Sequence, residues 1–100
     1  MADVSILDNE HFLFVQKVIS EWRVRVGEQT IKIRIVLDNN GYYQFSTSHY
    51  YQGSKLAGPV ISSFANLKSE EEALLIAERQ IIGMYDPNDE NATWIANSSF

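Results

Sequence analysis

The run Thr30-Ile31-Lys32-Ile33-Arg34-Ile35-Val36-Leu37 alternates apolar and basic side chains with a period of two through Arg34. In an extended chain that period sends one set to each face of a sheet, whereas a helix would scatter both sets around its axis. The preceding run, Trp22-Arg23-Val24-Arg25-Val26, repeats the pattern, and Gly27-Glu28 lies between the two. Two residues beginning with glycine suit a tight reversal. The chain is therefore expected to build a β-hairpin. One face would carry Trp22, Val24, Val26, Ile31, Ile33, Ile35 and Leu37 and be buried. The other would carry Arg23, Arg25, Lys32 and Arg34 in solvent.

Asp38-Asn39-Asn40-Gly41 is the strongest turn signal in the chain. Asn-Gly favours positive φ at both central positions of a two-residue hairpin loop. A third strand is then expected over Tyr42–Tyr51, with Tyr43, Phe45, Thr47, His49 and Tyr51 on one face. Tyr42, Gln44, Ser46, Ser48 and Tyr50 fall on the other. Residues 52–68 open as a loop punctuated by Gly53, Gly58 and Pro59, and the apolar residues of Val60–Phe64 suggest a short fourth strand.

Ser69-Glu70-Glu71-Glu72 reads as a capping box, with Ser69 accepting from the Glu72 amide and Glu72 reaching back. Ala73, Leu74, Ala77, Ile81 and Met84 continue it as an apolar stripe, so a helix is expected over 69–85, ended by Gly83 and Asp86-Pro87. The remaining tail, 86–100, is polar apart from Trp94, Ile95 and Phe100, and is expected to dock through Trp94. Residues 1–20 are ambiguous. Phe12, Val15 and Ile19 fall at helical spacing behind Asp8 or Asn9, yet Phe12–Val15 is rich in strand formers; a short helix or irregular lead-in is the expectation.

Together these elements predict a single α+β domain: an antiparallel sheet of three to four strands, β-β-β-(β)-α, with one helix on one face. The 100 residues are 45 % hydrophobic and 21 % charged, which suits one modest core. There is no cysteine, so no disulfide, thiolate metal site or thiol nucleophile is available. No apolar run approaches the length that spans a bilayer, and acids stand near the N-terminus where a secretory signal would carry basic residues. A cytoplasmic protein with no membrane partner is expected.

The net charge is −5. It is split between a basic segment, 17–34, and an acidic one, 69–90, which holds Glu70, Glu71, Glu72, Glu78, Asp86, Asp89 and Glu90 against Arg79. Overall acidity disfavours phosphate binding. The strand order resembles a double-stranded-RNA-binding module, but Glu70–Glu72 would set negative charge where that module's helix meets phosphate, so nucleic acid is not an expected partner.

Ser46-Thr47-Ser48-His49-Tyr50-Tyr51 gathers hydroxyls, an imidazole and two phenols. On a continuous strand Ser48 and His49 point to opposite faces and cannot pair, and no nucleophile elbow accompanies them. No catalytic residue, cofactor or metal site is therefore predicted. Asp86–Asn91 offers alternating oxygen ligands, but it lacks the glycine and the distal glutamate of a calcium loop.

Phe45–Tyr50, Ala57-Gly58-Pro59 with Ser62, Ser69–Ala73, and Trp94-Ile95 with Asn97 and Phe100 together resemble a group of small uncharacterised bacterial proteins. In that group a strand ends in Thr-Ser-His-Tyr, an Ala-Gly-Pro loop follows, and a Trp…Asn…Phe pattern closes the chain. The resemblance covers residues 40–100 and implies no activity. It implies that His49, the Ala57-Gly58-Pro59 turn and Trp94 form one constellation, with the tail folded over the strand-three loop.

The expected function is that of a small non-enzymatic binding or regulatory protein acting through protein–protein contacts. Its candidate binding residues are Ser46, Ser48, His49, Tyr50, Tyr51, Gly58, Pro59 and Trp94. Homodimerisation through an edge strand is a further expectation. Two alternatives are an acidic inhibitor that mimics nucleic acid, and a ligand-binding or catalytic domain with a pocket at His49.

Overall fold

The computed structural model describes Leu7, residues 9–61 and residues 66–100. Its elements are β1 (Gln16–Val26), β2 (Gln29–Asp38), β3 (Tyr43–Thr47), β4 (His49–Gln52), α1 (Glu70–Ile82) and β5 (Thr93–Ala96). The first three strands form an antiparallel sheet in the order β1-β2-β3, and β4 pairs antiparallel with β5 in a second sheet. The protein is an α+β structure. Among the described residues no helix is long and apolar enough to cross a membrane.

The period-two pattern of β2 does what its chemistry dictates. Ile31 and Ile35 are wholly buried and Ile33 nearly so, while Lys32 is exposed and Arg34 half-buried. The isoleucines pack against Ala73, Ala77 and Ile81 of α1 and against Leu67. Gly27 takes φ +59° between the paired residues Val26 and Gln29, the backbone sign that a tight reversal beginning with glycine requires.

The second turn departs from the Asn-Gly expectation. Only Gly41 has positive φ, +86°. The Asp38 amide donates to the Tyr42 carbonyl (2.9 Å) and the Gly41 amide to the Asp38 carbonyl (3.2 Å), leaving a longer loop with glycine at its left-handed position. The Asp38 carboxylate organises it, accepting from the amides of Asn40 (2.9 Å) and Tyr42 (3.0 Å) and from Gln44 Nε2 (2.9 Å). A side chain satisfying these donors overrides the local preference of the dipeptide.

Four further expectations are corrected. Residues 16–20 are strand, not helix: Gln16, Lys17 and Val18 pair with Asp38, Leu37 and Val36, and Ile19 is accommodated as a bulge before Ser20. Pairing with β2 outweighs the helical spacing of Phe12, Val15 and Ile19. The strand expected over Tyr42–Tyr51 breaks at Ser48 and changes sheet. The Ser48 amide donates back to Lys32 O of β2 (2.9 Å), while its carbonyl accepts from the Asn97 amide in the tail (2.8 Å). The apolar side of β1 keeps its orientation but not its burial, since Trp22 is 47 % and Val24 37 % exposed. Of the expected Val60–Phe64 strand, Val60 and exposed Ile61 are not strand, and residues 62–64 lie outside the described residues, as does Asp8.

The helix follows its caps. The Glu72 amide donates to Ser69 Oγ (3.0 Å), and Glu72 Oε2 accepts from the Lys68 amide rather than that of Ser69. Gln80 takes a core position, whereas Met84 lies beyond the helix and is exposed.

The hydrogen bond from the Tyr42 amide is the largest influence on the Asp38 carboxyl; against the opposing effect of burial, it and the hydrogen bonds from Asn40, Gln44 and Gly41 hold the pKa below the ordinary 3.8. A depressed folded pKa contributes stability above the unfolded value and loses it as pH falls through the folded one. Urea denaturation between neutral pH and pH 3 is therefore expected to show stability falling below about pH 4, with a shallower fall in Asp38→Ala. At neutral pH Asp38→Ala is expected to cost about 1–3 kcal/mol, because it leaves partly buried donors unmet.

Candidate functional site

The break at Ser48 gives the STSHYY segment its geometry. Thr47, 1 % exposed at the end of β3, donates from Oγ1 to the His49 carbonyl (3.1 Å) and accepts from Gln80 Nε2 of α1 (2.6 Å). Gln80 thereby ties the helix to the junction between the two sheets. Asn97 Nδ2 donates to the Thr47 carbonyl (2.9 Å), bringing the tail to the same point.

Ser48 and His49 do pair, against the expectation from a continuous strand. Ser48 Oγ lies 2.8 Å from His49 Nδ1 and accepts from the Lys32 amide (2.8 Å). Leaving the ladder at Ser48 removes the strict up-and-down alternation that would have separated the two side chains. At its other nitrogen, His49 Nε2 lies 3.3 Å from Gln29 Nε2, which also donates to the Thr30 carbonyl (2.9 Å). The arrangement is satisfied when Gln29 donates to a bare Nε2 and Nδ1–H donates to Ser48 Oγ. In that tautomer Ser48 Oγ is a double acceptor and the basic lone pair of His49 faces an amide. The polarity is opposite to that of a serine–histidine nucleophile, in which the hydroxyl donates to the ring.

Tyr51 is 2 % exposed and forms the centre of an aromatic cluster. Its ring centroid lies 5.0 Å from that of Trp94 and 5.5 Å from that of Tyr85, the latter edge-on, and its hydroxyl accepts from the Asp86 amide (3.2 Å). Trp94 pairs with Tyr51 across β4 and β5, and His49 pairs with Ala96. The tail therefore runs along the end of the STSHYY segment as a strand. It ends over the outer face of the main sheet, where Phe100 covers Arg34. The Arg34 guanidinium carbon is 4.2 Å from the Phe100 ring centroid, and Nη1 donates to the Phe100 carbonyl (2.6 Å). Arg34 Nε also lies 3.7 Å from Glu21. The expected basic face is thus partly covered.

Of the remaining candidates, Ser46 is half-buried opposite Arg34, and Tyr50 is half-buried opposite Ile95. Gly58 and Pro59 lie in the loop that returns through the Val60 amide to the Tyr51 carbonyl (2.8 Å), and neither bonds to His49. Ser48, His49, Tyr51 and Trp94 are gathered at the junction; the Gly58-Pro59 turn is not joined to them by hydrogen bonds. Asp86 and Asp89 cap turns through Asn88 (2.9 Å) and Asn91 (3.2 Å), and Asp89 also accepts from the amide and hydroxyl of Ser54 (2.9 Å each). Among the described residues no group of three or more histidine or carboxylate side chains is arranged to hold a metal ion.

A different surface, missed in the sequence, lies between β1 and α1. It is a groove of about 370 Å³ lined by Trp22, Val24, Val26, Ile33, Leu74, Ile81 and Ile82 together with Arg25 and Glu78. His49 lines neither this groove nor two larger hollows of about 490 and 810 Å³. The groove left one signal in the sequence. Leu74 and Ile82 flank the Ala73–Ala77–Ile81 stripe, so the apolar surface of α1 is wider than one sheet contact uses.

Replacing Gln80 by Met or Thr47 by Val is expected to cost about 1–3 kcal/mol each, since each strands a buried polar partner. The double variant should cost less than the sum of the two, measured by chemical denaturation in a double-mutant cycle. Long-range ¹H–¹⁵N spectra of the neutral imidazole should show its proton on Nδ1 rather than Nε2.

Comparison with known proteins gives no match to a family model, a curated protein or a solved structure. The short motifs that resemble the bacterial group therefore carry no family assignment.

Proposed function

We propose that the chain is a small non-enzymatic binding protein that acts through protein–protein contacts, with the groove between β1 and α1 as its contact surface. The observation that carries this reading is the uncovered apolar side of β1. Trp22, Val24 and Ile82 are 47 %, 37 % and 47 % exposed around one concavity. Fully burying an apolar side chain of this size contributes about 1.5–3 kcal/mol, so a partner seated there gains free energy that the isolated chain forgoes. Contiguous exposed apolar surface marks interaction sites, and Arg25 and Glu78 add polar groups to the lining of this one. The junction at Ser48 is a weaker contact surface. Its hydroxyl, imidazole and buried Tyr51 are already engaged inside the molecule.

Affinity capture with the wild type, Leu74→Glu and Tyr50→Ala tests this reading. A partner lost by Leu74→Glu and kept by Tyr50→Ala is expected. Calorimetry with the purified partner should then show Kd raised at least about tenfold by Leu74→Glu. A partner that ignores Leu74→Glu and is lost by Tyr50→Ala would place the surface on β4 and overturn the groove. Circular dichroism confirms that each variant is folded.

A further inference from the structure

Among the described residues β1 is an edge strand whose second side carries no partner strand. Its outward backbone groups can be identified. Val26 and Gln29 flank a two-residue turn and so form a hydrogen-bonded pair; alternation then turns the backbone groups of Val24 and Trp22 towards β2 and those of Glu21, Arg23 and Arg25 outward. Glu21 and Arg23 also project their side chains from the outer face, opposite Arg34 and Lys32 respectively. Arg23 thus faces a like charge within its own sheet.

We propose, resting on the groove reading above, that the occupant is a second copy of this chain, joined antiparallel through β1 about a two-fold axis at Trp22. In this register Glu21 stands opposite Arg23 of the second copy, and by symmetry Arg23 stands opposite its Glu21. Both are hydrogen-bonded pairs, and both join opposite charges. Trp22 meets its own counterpart in a close, non-hydrogen-bonded pair, where side chains on one face touch. Ser20 meets Val24. The bulge at Ile19 ends the regular stretch on one side, so pairing spans Ser20–Val24.

Charge selects this register over its neighbours. A shift of two residues sets Glu21 against Glu21 or Arg23 against Arg23. A shift of one puts the apolar sets of the two copies on opposite faces of the joined sheet. In the favoured register the apolar sides of both β1 strands lie on one face, and the two grooves run together across the axis. Trp22 is suited to burial there because its indole N–H already donates to Ser20 Oγ (2.8 Å). The facing Glu21 also offers Arg23 the opposite charge that Lys32 denies it.

Charge exchange tests the proposal with the full chain. Sedimentation equilibrium and light scattering of the wild type are expected to show a dimer. Glu21→Arg sets Arg against Arg at both symmetric pairs, and Arg23→Glu sets Glu against Glu; each should raise the dimer Kd at least about tenfold. Mixing the two single variants restores opposite charge at both pairs, so they should form a 1:1 heterodimer. That rescue cannot come from a folding defect. A wild type that stays monomeric at millimolar concentration, or a mixture no more associated than its components, overturns the self-pairing. If the captured partner is still lost by Leu74→Glu in that case, the groove reading stands and a foreign protein is its occupant. If Leu74→Glu changes neither capture nor dimer, the groove reading falls as well.

Discussion

The contact between the isoleucine row of β2 and the alanines of α1 sets the rest of the geometry. Ala73 and Ala77 carry nothing beyond Cβ, so the helix lies close against Ile31, Ile33 and Ile35. A helix is about 10 Å across and strands are spaced about 4.8 Å apart, so one helix covers roughly two strands. With α1 centred over β2 and β3 and reaching β4, the apolar side of β1 is left at its flank. The groove is a consequence of that centring and of no special feature of β1.

The second organising element is the sheet change at Ser48. A strand that leaves one ladder must find new partners for its backbone, and here they come from distant parts of the chain. Lys32 O takes the Ser48 amide, Asn97 supplies the donor for its carbonyl, and Gln80 fills the buried acceptor of Thr47. Helix, main sheet and tail meet at the adjacent residues Thr47 and Ser48. The hydroxyls of Thr47 and Ser48 and the imidazole of His49 are engaged in this convergence. A cluster of polar residues expected from the sequence to form a binding edge lies at the junction of the two sheets.

The tail shows how charge and aromatic character are divided between structure and surface. Trp94 closes the cluster with Tyr51 and Tyr85, and Phe100 covers Arg34. Of the four basic residues expected on the open sheet face, Arg34 is drawn into an internal contact, whereas Arg23, Arg25 and Lys32 stay exposed. The remaining charge pattern along β1 is the part that the proposed self-pairing uses.

The sequence by itself determined the elements whose signal is local. The alternation of Thr30–Leu37 defined β2 and its buried face, Gly27 defined the first reversal, and Ser69 with Glu72 defined the helix start. Each depends on residues within a few positions of one another, where the period of the backbone and the reach of one side chain decide the outcome. Tertiary structure alone decided the strand over Gln16–Ser20, the break at Ser48, and which apolar residues the helix covers. Each of these rests on a partner that adjacent residues do not specify: β2 for Gln16–Ser20, Lys32 and Asn97 for Ser48, and α1 for Thr47. Hydrophobic alternation states which side of a strand is apolar, but only the packed layers fix how much of that side another element can reach.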